Sequence, residues 1–182
     1  MKRILAFAGS NSSDSINKKL VTYAASHFAD EETIILDLNE FDLPIYSKQL
    51  EASDGHSENA QRFLQEIKAS DGIIISLAEY NGAYTSVFKN LFDWMSRIEQ
   101  KLFFGKPLLL MATSPGGRGG KSVLEMAADR FPRHDANVVA TFSLPAFNDN
   151  FSEGRIANDE LDGELKDKLN IFKKELIHEH TA

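Results

Sequence analysis

Ile4-Leu5-Ala6-Phe7-Ala8-Gly9-Ser10-Asn11-Ser12-Ser13-Asp14-Ser15-Ile16-Asn17 decides the fold: an unbroken apolar run, one glycine, then hydroxyls and amides leading into a helical pattern. A strand buried on both faces reads as a continuous apolar run, the signature of a parallel sheet. A helix starting directly after such a strand turns unpaired N–H groups and the positive end of its dipole toward the loop. An anion fits there, because Ser10, Asn11, Ser12, Ser13, Ser15 and Asn17 add neutral donors and Gly9 lets the backbone turn sharply. A serine-rich turn ending in an N-cap has the same composition, so this loop alone leaves phosphate binding and plain capping both open.

Outward from that stretch, apolar runs near 3–8, 33–38, 72–77, 107–113 and 137–143 alternate with amphipathic segments near 16–29, 57–70, 84–98, 119–131 and 159–178. The alternation predicts an α/β domain with a five-stranded parallel sheet covered on both faces and right-handed crossovers. Ligands of such sheets lie beyond the carboxyl ends of the strands, which directs attention to the loops after the first, third and fourth.

The loop after the third strand is Leu77-Ala78-Glu79-Tyr80-Asn81-Gly82-Ala83-Tyr84. Its two tyrosines and amide could line a planar aromatic ligand or pack over the sheet edge. Glu79 reads as a loop-bracing carboxylate ahead of a general base. In the helix that follows, Val87, Phe88, Leu91, Phe92 and Met95 keep the 3.6 period, and Trp94 belongs to the core or a subunit contact. The loop after the fourth strand, Ala112-Thr113-Ser114-Pro115-Gly116-Gly117-Arg118-Gly119-Gly120-Lys121-Ser122, lets the edge of a flat ligand approach main-chain N–H groups, although such glycine content also makes a flexible surface loop.

Two nucleotide motifs are excluded by spacing. Gly120-Lys121-Ser122 resembles the end of a triphosphate-binding P-loop, but the glycine required five residues earlier is Pro115. The first loop has Gly9 as its single glycine and so lacks the G-x-G-x-x-G of a dinucleotide fingerprint.

The chain has 182 residues, 42% of them hydrophobic, and is expected to form one domain over 1–182. A formal charge of -7 argues against nucleic-acid or anionic-membrane partners, and the absence of cysteine excludes disulfides and thiolate chemistry. Apolar runs are too short to span a membrane, and Met1-Lys2-Arg3 leads straight into a strand, so the expected location is the cytoplasm. His27, His56 and His134 read as surface residues. His178 and His180, two apart, do not share a helix face and read as an exposed helix end instead of a metal site.

Taken together, a phosphate loop and two loops for a flat polar ring describe flavin mononucleotide at a sheet switch point. From Lys2 to about Leu144 the chain resembles the NAD(P)H-dependent FMN reductase family of flavodoxin-like proteins, which includes quinone, azo-dye and chromate reductases. The resemblance is carried by Gly9-Ser10, Ser15 and Asn17; by Glu79-Tyr80-Asn81-Gly82 with Lys89-Asn90 and Asp93-Trp94; and by Gly105-Lys106-Pro107 ahead of Ser114-Pro115-Gly116. It implies a flavodoxin-like three-layer sandwich with strand order 2-1-3-4-5. It implies that Ser10, Ser15 and Asn17, with Ser12 alongside, hold the FMN phosphate. Glu79, Tyr80, Asn81 and Gly82 would line the ring and ribityl, and Ser114, Gly116 and Gly117 would meet the other ring edge. Ile16, Ala78, Pro115 and Arg118 belong to the same cofactor-contacting set, with Arg118 and the glycine-loop amides as candidates to tune the flavin potential. No side chain is assigned as an obligatory catalytic acid or base.

The chemistry implied is two-electron transfer from NADPH or NADH through flavin to a small-molecule acceptor. A homodimer or homotetramer is implied as well, with Asp42–Ser47, Phe103 and Phe104 as interface candidates. Two positions depart from the family pattern: Ser12 replaces an arginine common in relatives, and Ala78 replaces a proline. A one-electron carrier of the flavodoxin type and a flavin-less sensor or scaffold domain are the alternatives.

Overall fold

The computed structural model describes residues 1–178. Its central sheet comprises β1 (Arg3–Gly9), β2 (Glu32–Leu36), β3 (Gly72–Leu77), β6 (Pro107–Thr113) and β7 (Asn137–Leu144), all parallel, in the order β2-β1-β3-β6-β7. The two skipped strands, β4 (Glu79–Tyr80) and β5 (Ala83–Tyr84), form a separate hairpin. With that hairpin set aside, the order is the expected 2-1-3-4-5 of a flavodoxin-like α/β sandwich. The direction of winding reverses at β1, so the loops after β1 and β3 open on one crevice.

Alternate residues of β1 feed opposite halves of the core. Leu5 and Phe7 face Phe63 of α3 (Glu58–Ala69), Phe88 and Phe92 of α4 (Ser86–Ile98), and Leu124 of α5 (Lys121–Arg130). Ile4, Ala6 and Ala8 face Leu20 and Ala24 of α1 (Ile16–Ala25) and Phe172 of α7 (Asp159–His178). Burial on both faces is why these strands read as unbroken apolar runs.

The differences from the sequence reading have local causes. The second strand ends at Leu36 because Asp37 accepts from the Asn39 N–H at 2.9 Å and caps a tight turn over Leu38–Glu40. The first helix gives way after Ala25 to a 3-10 turn, Ser26–Phe28. A short helix, α2 (Lys48–Asp54), was not anticipated: it starts on the Ser47 cap and buries no residue, so it leaves no apolar period. Between β7 and α7 lie α6 (Phe147–Asn150) and a hairpin of β8 (Phe151–Ser152) and β9 (Arg155–Ile156).

Two expectations are corrected. His134 is buried, with its ring against Phe92 at 4.8 Å and its Nδ1 2.8 Å from the Gln100 carbonyl oxygen. Phe103 is also interior, 4.9 Å from Phe131, so it is core instead of interface. Trp94 takes the core reading and donates from Nε1 to the Pro44 carbonyl at 2.8 Å. His180 lies outside the described residues.

Candidate functional site

Ser15 caps α1, its hydroxyl accepting from the Lys18 N–H at 3.1 Å. Ser10 accepts from the Ser12 N–H at 3.2 Å, which folds the loop back on itself. Both serines are buried, and each hydroxyl still has its own proton to donate. The N–H groups of Ile16 and Asn17 lie in the first turn, where a helix supplies no acceptor.

The Asn17 side chain points the other way. Its Nδ2 donates to the Thr113 carbonyl at 3.1 Å, while Oδ1 accepts from the Thr113 N–H at 3.1 Å and from the Ser76 hydroxyl at 2.7 Å. It therefore staples α1 to β3 and β6, leaving its backbone N–H as its contribution to the loop. Thr113 completes the arrangement by donating from its hydroxyl to the Leu144 carbonyl at 2.7 Å.

Asn81 and Gly82 both have positive φ, +53° and +76°, at the turn of the β4–β5 hairpin, the backbone signature of a tight two-residue reversal. The sequence predicts a loop here, and its Asn-Gly pair is the signal for such a turn. Ala78 is buried at its base, so the missing proline leaves no loose segment. Tyr80 stands exposed at the mouth of the site, whereas Tyr84 turns toward Phe88 and Phe131 at centroid distances of 5.4 and 6.2 Å.

The Tyr84 hydroxyl is buried without a hydrogen-bond partner among the described residues, and desolvation pushes its pKa up to about 12. Because the folded state keeps the phenol proton more tightly, this group's effect on stability is constant below about pH 10, and stability falls as pH rises from about 10 toward 12. Tyr84→Phe should remove that alkaline loss and raise unfolding free energy at pH 7 by about 1 kcal/mol, since no bond is broken. Urea unfolding at pH 7 and pH 11 checks both; equal losses at high pH in both proteins would exclude Tyr84 as the source.

Glu79 bears out its bracing role. Its carboxylate accepts from the Val123 N–H at 3.0 Å, in the first turn of α5, whose own cap position is Gly120 and offers no side chain. A negative charge there also suits the helix dipole. We expect Glu79→Ala to cost about 1 kcal/mol, the usual loss of a cap, and Glu79→Gln to restore part of it, read from chemical unfolding midpoints.

The glycine loop is pinned in place. The Gly116 carbonyl accepts from Gly119 at 3.1 Å and Ala146 at 3.0 Å; the Ser114 carbonyl accepts from Phe147 at 3.1 Å; and the Ser143 hydroxyl donates to the Gly119 carbonyl at 2.9 Å. Gly116 and Gly117 face open space. Arg118 lies along the start of α5, with its Nη2 3.3 Å from the Ser122 hydroxyl.

These three loops enclose a cavity of about 190 Å³. Ser10, Ser12, Ser15, Ile16 and Asn17 line one side, with Ala78, Glu79, Tyr80, Ser114 and Pro115 opposite. Asn81, Gly82, Gly116, Gly117 and Arg118 lie outside this lining, while Asp14 and Thr113, loop residues to which the sequence assigns no cofactor contact, are part of it. Among the described residues, no group of three or more acidic, histidine or cysteine side chains could hold a metal, and no helix is long and apolar enough to cross a membrane.

The fold and this crevice define a flavodoxin-like α/β domain, with a hydroxyl-lined loop after β1 and two further strand-end loops, after β3 and β6, facing it. The chain belongs to the NADPH-dependent FMN reductase family, whose model matches residues 2–149. It is 30% identical over 165 residues to an NAD(P)H-dependent FMN reductase of Pseudomonas aeruginosa, covering 86% of this chain and 85% of that protein. It is 32% identical over 79 residues to a quinone reductase of Escherichia coli, a match spanning 43% of this chain and 42% of that protein, less than half of either. In fold, it matches a flavoenzyme NAD(P)H:(acceptor) oxidoreductase of Paracoccus denitrificans with a TM-score of 0.74 at 24% identity, covering 96% of this chain and 99% of that one.

The residues present fit FMN. Two buried hydroxyls with protons to donate stand at the start of α1, and Gly116 and Gly117 leave room for a flat ring edge.

Proposed function

We propose that this chain is an FMN-dependent oxidoreductase that takes two electrons from NADPH or NADH and passes them to a small acceptor such as a quinone, an azo compound or free flavin. The observation that carries this reading is the convergence of three strand-end loops on one cavity lined by hydroxyls and first-turn N–H groups, with Tyr80 at its mouth.

Ser10, Ser12 and Ser15, with the backbone N–H groups of Ile16 and Asn17, would hold the phosphate. Ala78 through Gly82 would line the ring and ribityl, with Ser114, Pro115, Gly116 and Gly117 along the other edge. Bound flavin supplies the hydride chemistry. The protein's part is geometric and electrostatic: the Glu79–Val123 bond fixes the hairpin against the first turn of α5, and the glycine loop's bonds to Ala146 and Phe147 hold its amides in register. Arg118, three residues beyond Pro115 of the cavity lining, would favour negative charge on the ring. If Arg118→Ala leaves the two-electron midpoint unchanged, that role is excluded. Relatives named as quinone reductase and NADPH azoreductase support the acceptor range. A homodimer or homotetramer in the cytoplasm accompanies this reading.

The deciding experiment is the visible spectrum of purified protein with added FMN, followed by anaerobic NADPH or NADH. We expect bound flavin that bleaches directly to the two-electron-reduced form. A persistent one-electron-reduced species under dithionite would favour a carrier, and a colourless protein that ignores FMN would overturn the assignment.

A further inference from the structure

Beside the first loop, and sharing Asp14 and Ser15 with the cavity described above, runs a second groove of about 790 Å³. Its near end is the loop segment Ser13–Ser15, its floor includes Lys19 and Thr22 of α1, and its far wall carries Phe147 and Phe151. Those two rings stack at 4.7 Å with an 18° interplanar angle, and Tyr23 meets Phe151 edge-on at 6.1 Å. The Tyr23 hydroxyl is committed to Asp162, so this wall offers aromatic surface.

The charges are arranged along the groove. Between Ser10 and Asn17 the one charged side chain is Asp14, so the loop itself holds neutral donors and no side-chain cation. A phosphate monoester brings a charge of about −1.5 to −2 near neutral pH, whereas each phosphate of a diphosphate diester carries less. Lys19 lies further along the groove, paired to Asp14 at 2.5 Å with side chains 47% and 84% exposed, an ion pair weak enough to exchange for another anion. Lys18 is paired to Asp37, and Glu153 stands at the far end, where a further negative group would be repelled.

We propose that this groove holds the adenosine-phosphate arm of a dinucleotide. One phosphate would lie toward the anion loop and the next toward Lys19, with the purine against Phe151 and its neighbours, where flat aromatic surface favours a heterocycle. The inference rests on the flavin reading of the adjacent cavity. The arm could belong to the nicotinamide donor or to a flavin dinucleotide, because both carry the same adenosine phosphate.

The test titrates 5′-AMP into the protein, with and without added FMN, by calorimetry. We expect saturable binding to the wild type in both forms. Thr22→Trp, at an exposed position of α1, should weaken it at least tenfold, and Lys19→Ala about threefold. Unchanged thermal melts establish that both variants fold. If the arm belongs to the donor, Thr22→Trp raises KM for NADPH or NADH and leaves reduced nicotinamide mononucleotide, which lacks adenosine, unaffected. If it belongs to a flavin dinucleotide, Thr22→Trp weakens FAD and leaves FMN unaffected.

Absence of AMP binding in the wild type, equal binding by Thr22→Trp, or AMP binding with neither dinucleotide affected overturns the proposal. Wild-type protein that takes FMN but not AMP refutes this inference alone. Protein that takes AMP but not FMN refutes the flavin reading and supports the groove.

Discussion

Asn17→Ala should lower the unfolding free energy by about 3–5 kcal/mol and abolish flavin retention. The carboxamide makes three hydrogen bonds, to the Thr113 N–H, the Thr113 carbonyl and the Ser76 hydroxyl. Ser76 and Thr113 are buried, so the bonds are not replaced by water when the side chain is cut back. Each stranded group costs about 1–3 kcal/mol, and the three belong to one network, so the costs do not simply add. The damage also falls on the loop proposed to bind phosphate, because Asn17 fixes the first turn of α1 against β3 and β6. Ser12→Ala, at an exposed loop position, should leave stability within about 0.5 kcal/mol of wild type while weakening FMN binding. Chemical unfolding with FMN titration distinguishes the two. A stability loss below about 1 kcal/mol for Asn17→Ala would mean the staple is not holding the site.

Asn17 also shows how much of the site could be read in advance. Its position was legible, since a polar residue follows a serine cap at the end of a hydroxyl-rich loop. The direction of its side chain was not. That depends on Ser76 and Thr113 arriving from strands separated from it by 59 and 96 residues. A faint signal existed in β3, where Gly-Ile-Ile-Ile-Ser-Leu carries one hydroxyl in an otherwise apolar strand. Such a buried hydroxyl needs a partner.

The five sheet strands were legible because burial on both faces writes itself as an apolar run. Helix α2 was not, because it buries nothing. The burial of His134 is likewise invisible locally, being created by Phe92 and the Gln100 carbonyl from other parts of the chain. The glycine loop looked equally compatible with a mobile surface segment. What decides the matter is the pair of N–H groups from Ala146 and Phe147, which come from an excursion whose structure the sequence did not disclose.

That pinned loop yields the second large effect, Gly119→Ala, which should cost about 2–5 kcal/mol. Gly119 has φ of +58°, in the left-handed region where an L side chain is strained by about 1–2 kcal/mol. An added Cβ would also meet the Leu144 carbonyl carbon and oxygen at 2.9 Å and press on the Ser143 hydroxyl. Backbone cannot rotate aside as a flexible side chain can, so α5 must lift from β7 and break the bond from Ser143 to the Gly119 carbonyl. Crowding of this kind adds about 1–3 kcal/mol. Gly116→Ala and Gly117→Ala should behave oppositely, since neither has a positive φ or a neighbour within 4 Å of its Cβ. They should hold stability within about 0.5 kcal/mol while weakening FMN at least severalfold. Measuring unfolding midpoints and FMN affinity for all three separates fold from function within one loop. If Gly119→Ala is as stable as Gly116→Ala, the loop is not pinned to β7 and the backbone register proposed for the ring edge is wrong.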